Sequence, residues 1–270
     1  MLTNNDELKG LVIRARDGEL GKVDELYFDD VTWAIRYLTA DTGGWLGGRT
    51  VLISPISILQ VDWPARCIDV DLTRSQIENS PNIDTHKPVS RQHEAAYLGY
   101  YNYPYYWEGP YFWGQSFYPM APVAVDVTQT ALEEKIRNES PDSHLRTTQA
   151  VAGYTIDAED GEIGHVKRFI VDDKTWVIRY LEVATKNWWP GKKVLLTPAW
   201  VESVSWKESK VFVAATRQAI QTCPAYDETV PISRDYENSL YFHYGRPPYW
   251  IAEKEREGEV ANAQKLVVSS

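Results

Sequence analysis

A chain of 270 residues has room for two domains, and 43% hydrophobic with 24% charged side chains supplies each with a core. The net charge of −10 argues against nucleic acid as a partner, because a phosphate-tracking surface gathers Lys and Arg. Two cysteines, Cys67 and Cys223, offer no disulfide framework or CxxC spacing. No apolar run approaches the ~18–20 residues that cross a bilayer, and Met1–Gly10 lacks an apolar signal segment. The chain is therefore read as cytoplasmic without a transmembrane segment, with peripheral membrane contact left open.

Taken in order, the elements are short strands punctuated by turns. Leu11–Ala15 reads as a strand, Asp17-Gly18 as a tight turn, and Lys22–Phe28 as an alternating strand. Asp29–Thr32 turns the chain into Ala34–Ala40, and a Gly-rich loop, Gly43–Gly48, leads to Thr50–Ser54. Pro55 bends the chain before Ile58–Asp62, and Cys67–Leu72 ends the β-rich part. Thr73 caps a helical turn to Glu78, and Ser90 caps a helix to Tyr100 with Glu94 near its first turn. A Tyr/Pro/Trp arm then runs to Trp107. Five or six strands in ~65 residues leave exposed edges unless the sheet closes, so a small barrel is expected.

Shifted by 143 residues, the step from Gly10 to Gly153, the sequence matches itself without gaps over roughly its first and last hundred residues. Asp29-Asp30 recurs as Asp172-Asp173, Trp33 as Trp176, and Ile35-Arg36-Tyr37-Leu38 as Ile178-Arg179-Tyr180-Leu181. Ser90-Arg91 and Glu94 recur as Ser233-Arg234 and Glu237, and Tyr106-Trp107 as Tyr249-Trp250. The expected plan is a first unit at 1–107, a connector at 108–148 with a short helix near Thr128–Asn138, a second unit at 149–250, and a charged tail at 251–270. The piece Met1–Trp107 is expected to fold alone.

Little in this pattern points to bond-making chemistry. His86, His93, His144, His165 and His243 do not recur between the copies and make no ligand spacing, so no metal, cofactor or catalytic residue is assigned. Adjacent acids such as Asp29-Asp30 diverge on a strand, and Asp before a turn bonds its own backbone, so a turn role is expected. Arg36 and Arg179 lie among apolar neighbours and call for a carboxylate partner inside the fold or a contact at an interface. Gly43–Gly48 precedes a strand, not the helix a phosphate loop needs. The aromatic belt from Tyr97 to Tyr118 either seals the sheet or binds a partner.

The Gly10 strand, Asp17-Gly18-Glu19-Leu20-Gly21-Lys22-Val23, Phe28-Asp29-Asp30, Trp33–Leu38 and Val51–Pro55 resemble the PRC-barrel domain, as do Gly161–Val166, Asp172-Asp173, Trp176–Leu181 and Val194–Pro198 in the second copy. This family includes the cytoplasmic part of the photosynthetic reaction-centre H subunit and a ribosome-maturation factor. The resemblance implies a mainly β chain of two small closed antiparallel barrels in tandem, each with a trailing helix and aromatic arm. It implies a non-catalytic adaptor or scaffold for partner proteins, in a bacterial cytoplasm and associated with stress. Candidate interaction residues are Trp45, Tyr101, Tyr106, Trp107, Trp113, Trp188, Tyr244, Tyr249, Trp250, Arg36 and Arg179, with homodimerisation through the arms as one mode. The alternatives are a ligand or enzymatic site between the barrels, a ribosome-assembly role, and peripheral attachment to a photosynthetic membrane.

Overall fold

The computed structural model describes residues 1–43, 49–81, 89–121, 144–185, 192–256 and 258. The expected connector helix near Thr128–Asn138, together with Trp45, Trp188 and His86, lies outside them.

The first half opens with two elements that the strand pattern did not reveal, β1 (Leu2–Asn4) and the one-turn helix α1 (Asn5–Leu8). There follow β2 (Val12–Ala15), β3 (Gly18–Asp29), β4 (Ile35–Asp41), β5 (Val51–Ile53), β6 (Ile58–Asp62) and β7 (Cys67–Val70). Two helices, α2 (Arg74–Glu78) and α3 (Arg91–Tyr100), complete it. Their starts follow the local chemistry: Thr73 and Gln76 form a reciprocal capping box, and the Ser90 hydroxyl accepts from the His93 amide. The second half repeats the series as β8 (Leu145–Thr147), α4 (Thr148–Val151), β9 (Thr155–Ala158), β10 (Gly161–Asp172), β11 (Val177–Thr185), β12 (Lys193–Leu196), β13 (Val201–Ser205), β14 (Lys210–Val213), α5 (Arg217–Thr222) and α6 (Arg234–His243). The repeated series thus begins at β8, inside the 108–148 stretch expected to be the connector.

The strand order β5-β4-β3-β2-β7-β6 of the first half recurs in the second as β12-β11-β10-β9-β14-β13. The expectation of purely antiparallel sheets is corrected: β2 pairs with β7 in parallel, Val12 opposite Cys67, and β9 pairs with β14 in parallel, Thr155 opposite Lys210. The 3-10 turn at Pro55–Ser57 passes the chain from β5 to β6 without reversing it. One reversal is thereby lost from the alternation, and β7 arrives running with β2. Gly21 recurs as Gly164 for a steric reason: a Cβ there would sit 2.0 Å from the Asp41 carbonyl oxygen in one half and 2.1 Å from that of Ala184 in the other. On one parallel rung Arg14 chelates Asp69 (2.7 and 3.0 Å), whereas in the second half Lys210 reaches diagonally from its place opposite Thr155 to Asp157 (3.1 Å).

The chain forms two compact units that cut across the repeat. The larger comprises Met1–Tyr154, His165–Glu182 and Leu196–Ala199; the smaller comprises Thr155–Gly164, Val183–Leu195 and Trp200–Ser270. In the larger unit Leu8, Leu11, Ile13, Leu26, Phe28, Ile35, Leu38, Phe169 and Ile170 are buried. In the smaller, Ile156, Val183, Leu195, Val211 and Leu240 are.

Segments of both repeats share the larger unit because they exchange their opening strands there. β1 pairs with the end of β10, Leu2 opposite Asp172 and Asn4 opposite Ile170. Reciprocally, β8 pairs with the end of β3, Leu145 opposite Asp29 and Thr147 opposite Tyr27. At the centre Ala34 bridges its own counterpart Val177. The Ile35 amide donates to the Trp176 carbonyl (2.7 Å) and the Ile178 amide to the Trp33 carbonyl (2.8 Å). Trp33 (φ 59°) and Trp176 (φ 55°) both take the left-handed conformation to present those carbonyls. That geometry costs about 1–2 kcal/mol per residue, offset by burial of both indoles. A monomeric Met1–Trp107 piece would leave β1 and the edge of β3 unpaired. It is expected to show no cooperative thermal transition by circular dichroism; a cooperative transition in a piece proven monomeric by light scattering would contradict this topology.

Candidate functional site

The residues that recur most faithfully collect in one polar and aromatic cluster per unit. In the larger unit α3 sets Glu94, with 0% exposure, against β4. Its carboxylate accepts from the Tyr37 hydroxyl (3.2 Å) and the Tyr106 hydroxyl, and meets Arg91 (3.4 Å) and His144 Nε2 (2.9 Å). Tyr106 belongs to the aromatic arm, so this one carboxylate ties helix, sheet, arm and the start of β8 together. Burial pushes the Tyr37, Tyr97 and Tyr106 hydroxyls well above the usual phenol range, and Glu94 adds to the rise at Tyr37 and Tyr106. All three act as neutral hydrogen-bonding groups at physiological pH. Tyr97 donates to the Leu52 carbonyl (3.1 Å) and accepts from the Ser54 amide (3.1 Å), which fixes α3 to the end of β5.

Arg36, on β4, is 1% exposed and enclosed. Its guanidinium stacks on Tyr106 (3.6 Å to the ring centroid), faces Trp113 (5.0 Å) and donates to Thr32 Oγ1 (2.9 Å) and the Phe112 carbonyl. Asp29 lies 3.7 Å away. The same carboxylate accepts from the Val31 (3.0 Å) and Thr32 (2.9 Å) amides, so the turn role expected of it holds. Burial alone would raise its pKa, but Arg36 and those two amides outweigh the burial and hold it below the usual carboxylate range. In the second half Arg179 meets Asp172 (3.3 Å) and Thr175 Oγ1 (3.0 Å), and the Asp172 carboxylate accepts from the Lys174 amide (3.1 Å). Both arginines are thus buried and paired inside the fold.

The arm is likewise largely enclosed. Tyr103, Tyr105, Tyr106, Trp113 and Phe117 are buried, and Trp113 Nε1 donates to the Thr175 carbonyl (2.8 Å). Trp107, half-buried, stacks on Tyr105 and beneath Arg91 (4.2 Å), and Tyr101, also half-buried, stacks on Tyr103. In the smaller unit Glu237 repeats the Glu94 arrangement: Arg234 pairs with it (3.0 Å), Tyr249 donates to it (3.2 Å), and Arg234 stacks on Trp250 (3.9 Å). Tyr244 packs on Trp200 at 4.2 Å. The structure therefore gathers Arg36, Tyr106 and Trp113 in one cluster and Tyr249 with Trp250 in another.

Sequence reasoning missed Glu94 and Glu237 as the centres of these clusters, although an acid recurring at one helical position was the available signal. His144 carried no signal, since its counterpart is Met1. His93 instead stays beside its own cap, 3.1 Å from Ser90 Oγ, and His243 lies 2.7 Å from the Ala219 carbonyl. No group of three or more metal-ligating side chains occurs among the described residues. No helix among them is long and apolar enough to cross a membrane.

The strands form two sheets of the same strand order, each joined by a short strand from the opposite half. Residues 4–77 match the family model of the PRC-barrel domain. No curated protein matches the chain.

Two stability tests follow from the cluster. Glu94→Ala removes the acceptor of two buried phenols and the partner of Arg91 and His144. It is expected to cost about 3–5 kcal/mol, read as a lowered urea midpoint; a midpoint within error of the wild type would refute the account. Because the pKa of Asp29 is lower folded than unfolded, its contribution is present above the unfolded value of about 3.9 and is lost as pH falls through the folded value. Asp29→Asn is expected to lose about 2 kcal/mol at neutral pH, the gap to wild type closing as acid is added. A gap independent of pH across the acid limb would refute the ionic role.

Proposed function

We propose that the protein is a non-catalytic adaptor that presents two copies of one PRC-barrel framework to partner proteins, with residues from Leu145 onward forming the second copy. The reading rests on one observation: the recurring polar side chains meet each other instead of converging on open space. Arg36 with Asp29, Glu94 with Tyr37 and Tyr106, Arg179 with Asp172, and Glu237 with Tyr249 are each paired inside the fold. A group held neutral or ion-paired by burial is fitted to stiffen a surface, whereas a catalytic group has to reach a substrate. Two similar faces on one chain raise the effective concentration of the second contact once the first is made. Association with stress in a bacterial cytoplasm rests on the family resemblance alone.

The reading is tested by affinity capture from the native cell, followed by calorimetry with the purified partner. The wild type, Glu94→Gln and Asp29→Asn are expected to bind the partner with affinities within a few-fold of each other, once corrected for folded fraction. Consumption of a small molecule by the wild type that Glu94→Gln abolishes would replace the adaptor with an enzyme.

A further inference from the structure

We infer that the arm formed by β1 and α1 is an exchangeable connector that also pairs with β10 of a second copy of this chain. Three observations lead there. The contact it makes is one half of a reciprocal pair in a single register: Leu2 opposite Asp172 matches Leu145 opposite Asp29, and Thr3 opposite Val171 matches Arg146 opposite Phe28. With Ala34 on Val177 at the centre, the geometry is that of an isologous interface between two separate protomers, here carried by one chain.

The arm also leaves its own repeat at a hinge. Lys9 closes α1 in an extended conformation, and Gly10 follows at φ 77°, where a Cβ would meet nothing within 4 Å. Gly153 repeats this at φ 90° after Ala152, again with open space around it. Glycine takes backbone angles closed to other residues, so the arm has a second direction open to it at the cost of the local bonds from the Gly10 amide to the Val23 carbonyl (2.7 Å) and from the Leu11 amide to the Leu8 carbonyl (3.3 Å).

The two arms, finally, are chemically distinct. Asn5 Oδ1 on α1 accepts from the Phe169 amide (2.9 Å), whereas Thr148 on α4 donates to Glu25. The first arm therefore fits the second half and the second arm fits the first half. Exchange between two chains preserves every one of these pairings, because each chain brings both halves. Closed and exchanged forms contain the same arm pairings and differ only at the hinge, so their ratio is governed by chain concentration and by the hinge.

The test uses full chains in which Cys67 and Cys223 are replaced by alanine. One carries Thr3→Cys and the other Val171→Cys, so a disulfide between these facing positions forms only across chains. Refolding the two together at high concentration under mild oxidation is expected to give a disulfide-linked heterodimer, and refolding at high dilution to give little of it. A chain carrying both substitutions serves as the folding and geometry control and closes the bond internally at high dilution. Monomer alone at every concentration, with the control closing, overturns the inference. Should the control fail to close, light scattering on wild-type chains refolded at rising concentration decides: a growing dimer fraction supports exchange, and monomer throughout overturns it.

Discussion

The reciprocal backbone pairing of the two halves is the constraint on which the other features depend. A β-strand edge exposes amide and carbonyl groups that water must solvate or another strand must satisfy. Here the ends of β3 and β10 are satisfied by β8 and β1 from the opposite half, and the Trp33–Ile35 and Trp176–Ile178 segments satisfy each other. The left-handed conformations of Trp33 and Trp176 are tolerated because each aims a carbonyl at the facing amide while its indole is buried. At these positions the two halves of the chain thus pair with each other reciprocally.

On this frame the clusters around Glu94 and Glu237 perform one task. A helix of ten residues with half its surface in water has little stability of its own, and α3 has that length. Anchoring it through a carboxylate that gathers Tyr37, Tyr106, Arg91 and His144 fixes helix, sheet and arm at one point. A buried carboxyl group is tolerated only when its oxygens are hydrogen-bonded, and those of Glu94 are surrounded by partners. The stacking of Arg36 on Tyr106 serves the same end from the other side of the ring, placing a cation where the ring face is electron-rich.

Much of this was legible in the sequence. β6 falls at Ile58–Asp62 as read, the Thr73 and Ser90 caps start their helices, and Asp29 organises its turn. These depend on local chemistry: alternation, a capping hydroxyl, a carboxylate ahead of a turn. β1 and β8 escaped because three residues carry no periodicity, and their partners lie more than a hundred residues away in the chain. The parallel pairing of β2 with β7 escaped because Pro55 signals a turn without saying whether the chain reverses there. The belt from Tyr97 to Tyr118 could either seal the sheet or bind a partner; only the fold reveals that Arg36 lies between Tyr106 and Trp113.

Self-pairing at the axis also bears on how the halves can diverge. Away from it they have drifted freely: the rung that pairs Arg14 with Asp69 in the first half sets Asp157 opposite Phe212 in the second, and Asp157 instead meets Lys210, two residues earlier on β14. At the axis Ala34 abuts Val177, its own descendant position, so bulk gained on one side has to be accommodated by the other. Evolutionary change there is expected to come in compensating pairs across the duplication, and an alignment of relatives should reveal covariation between columns that were once a single column.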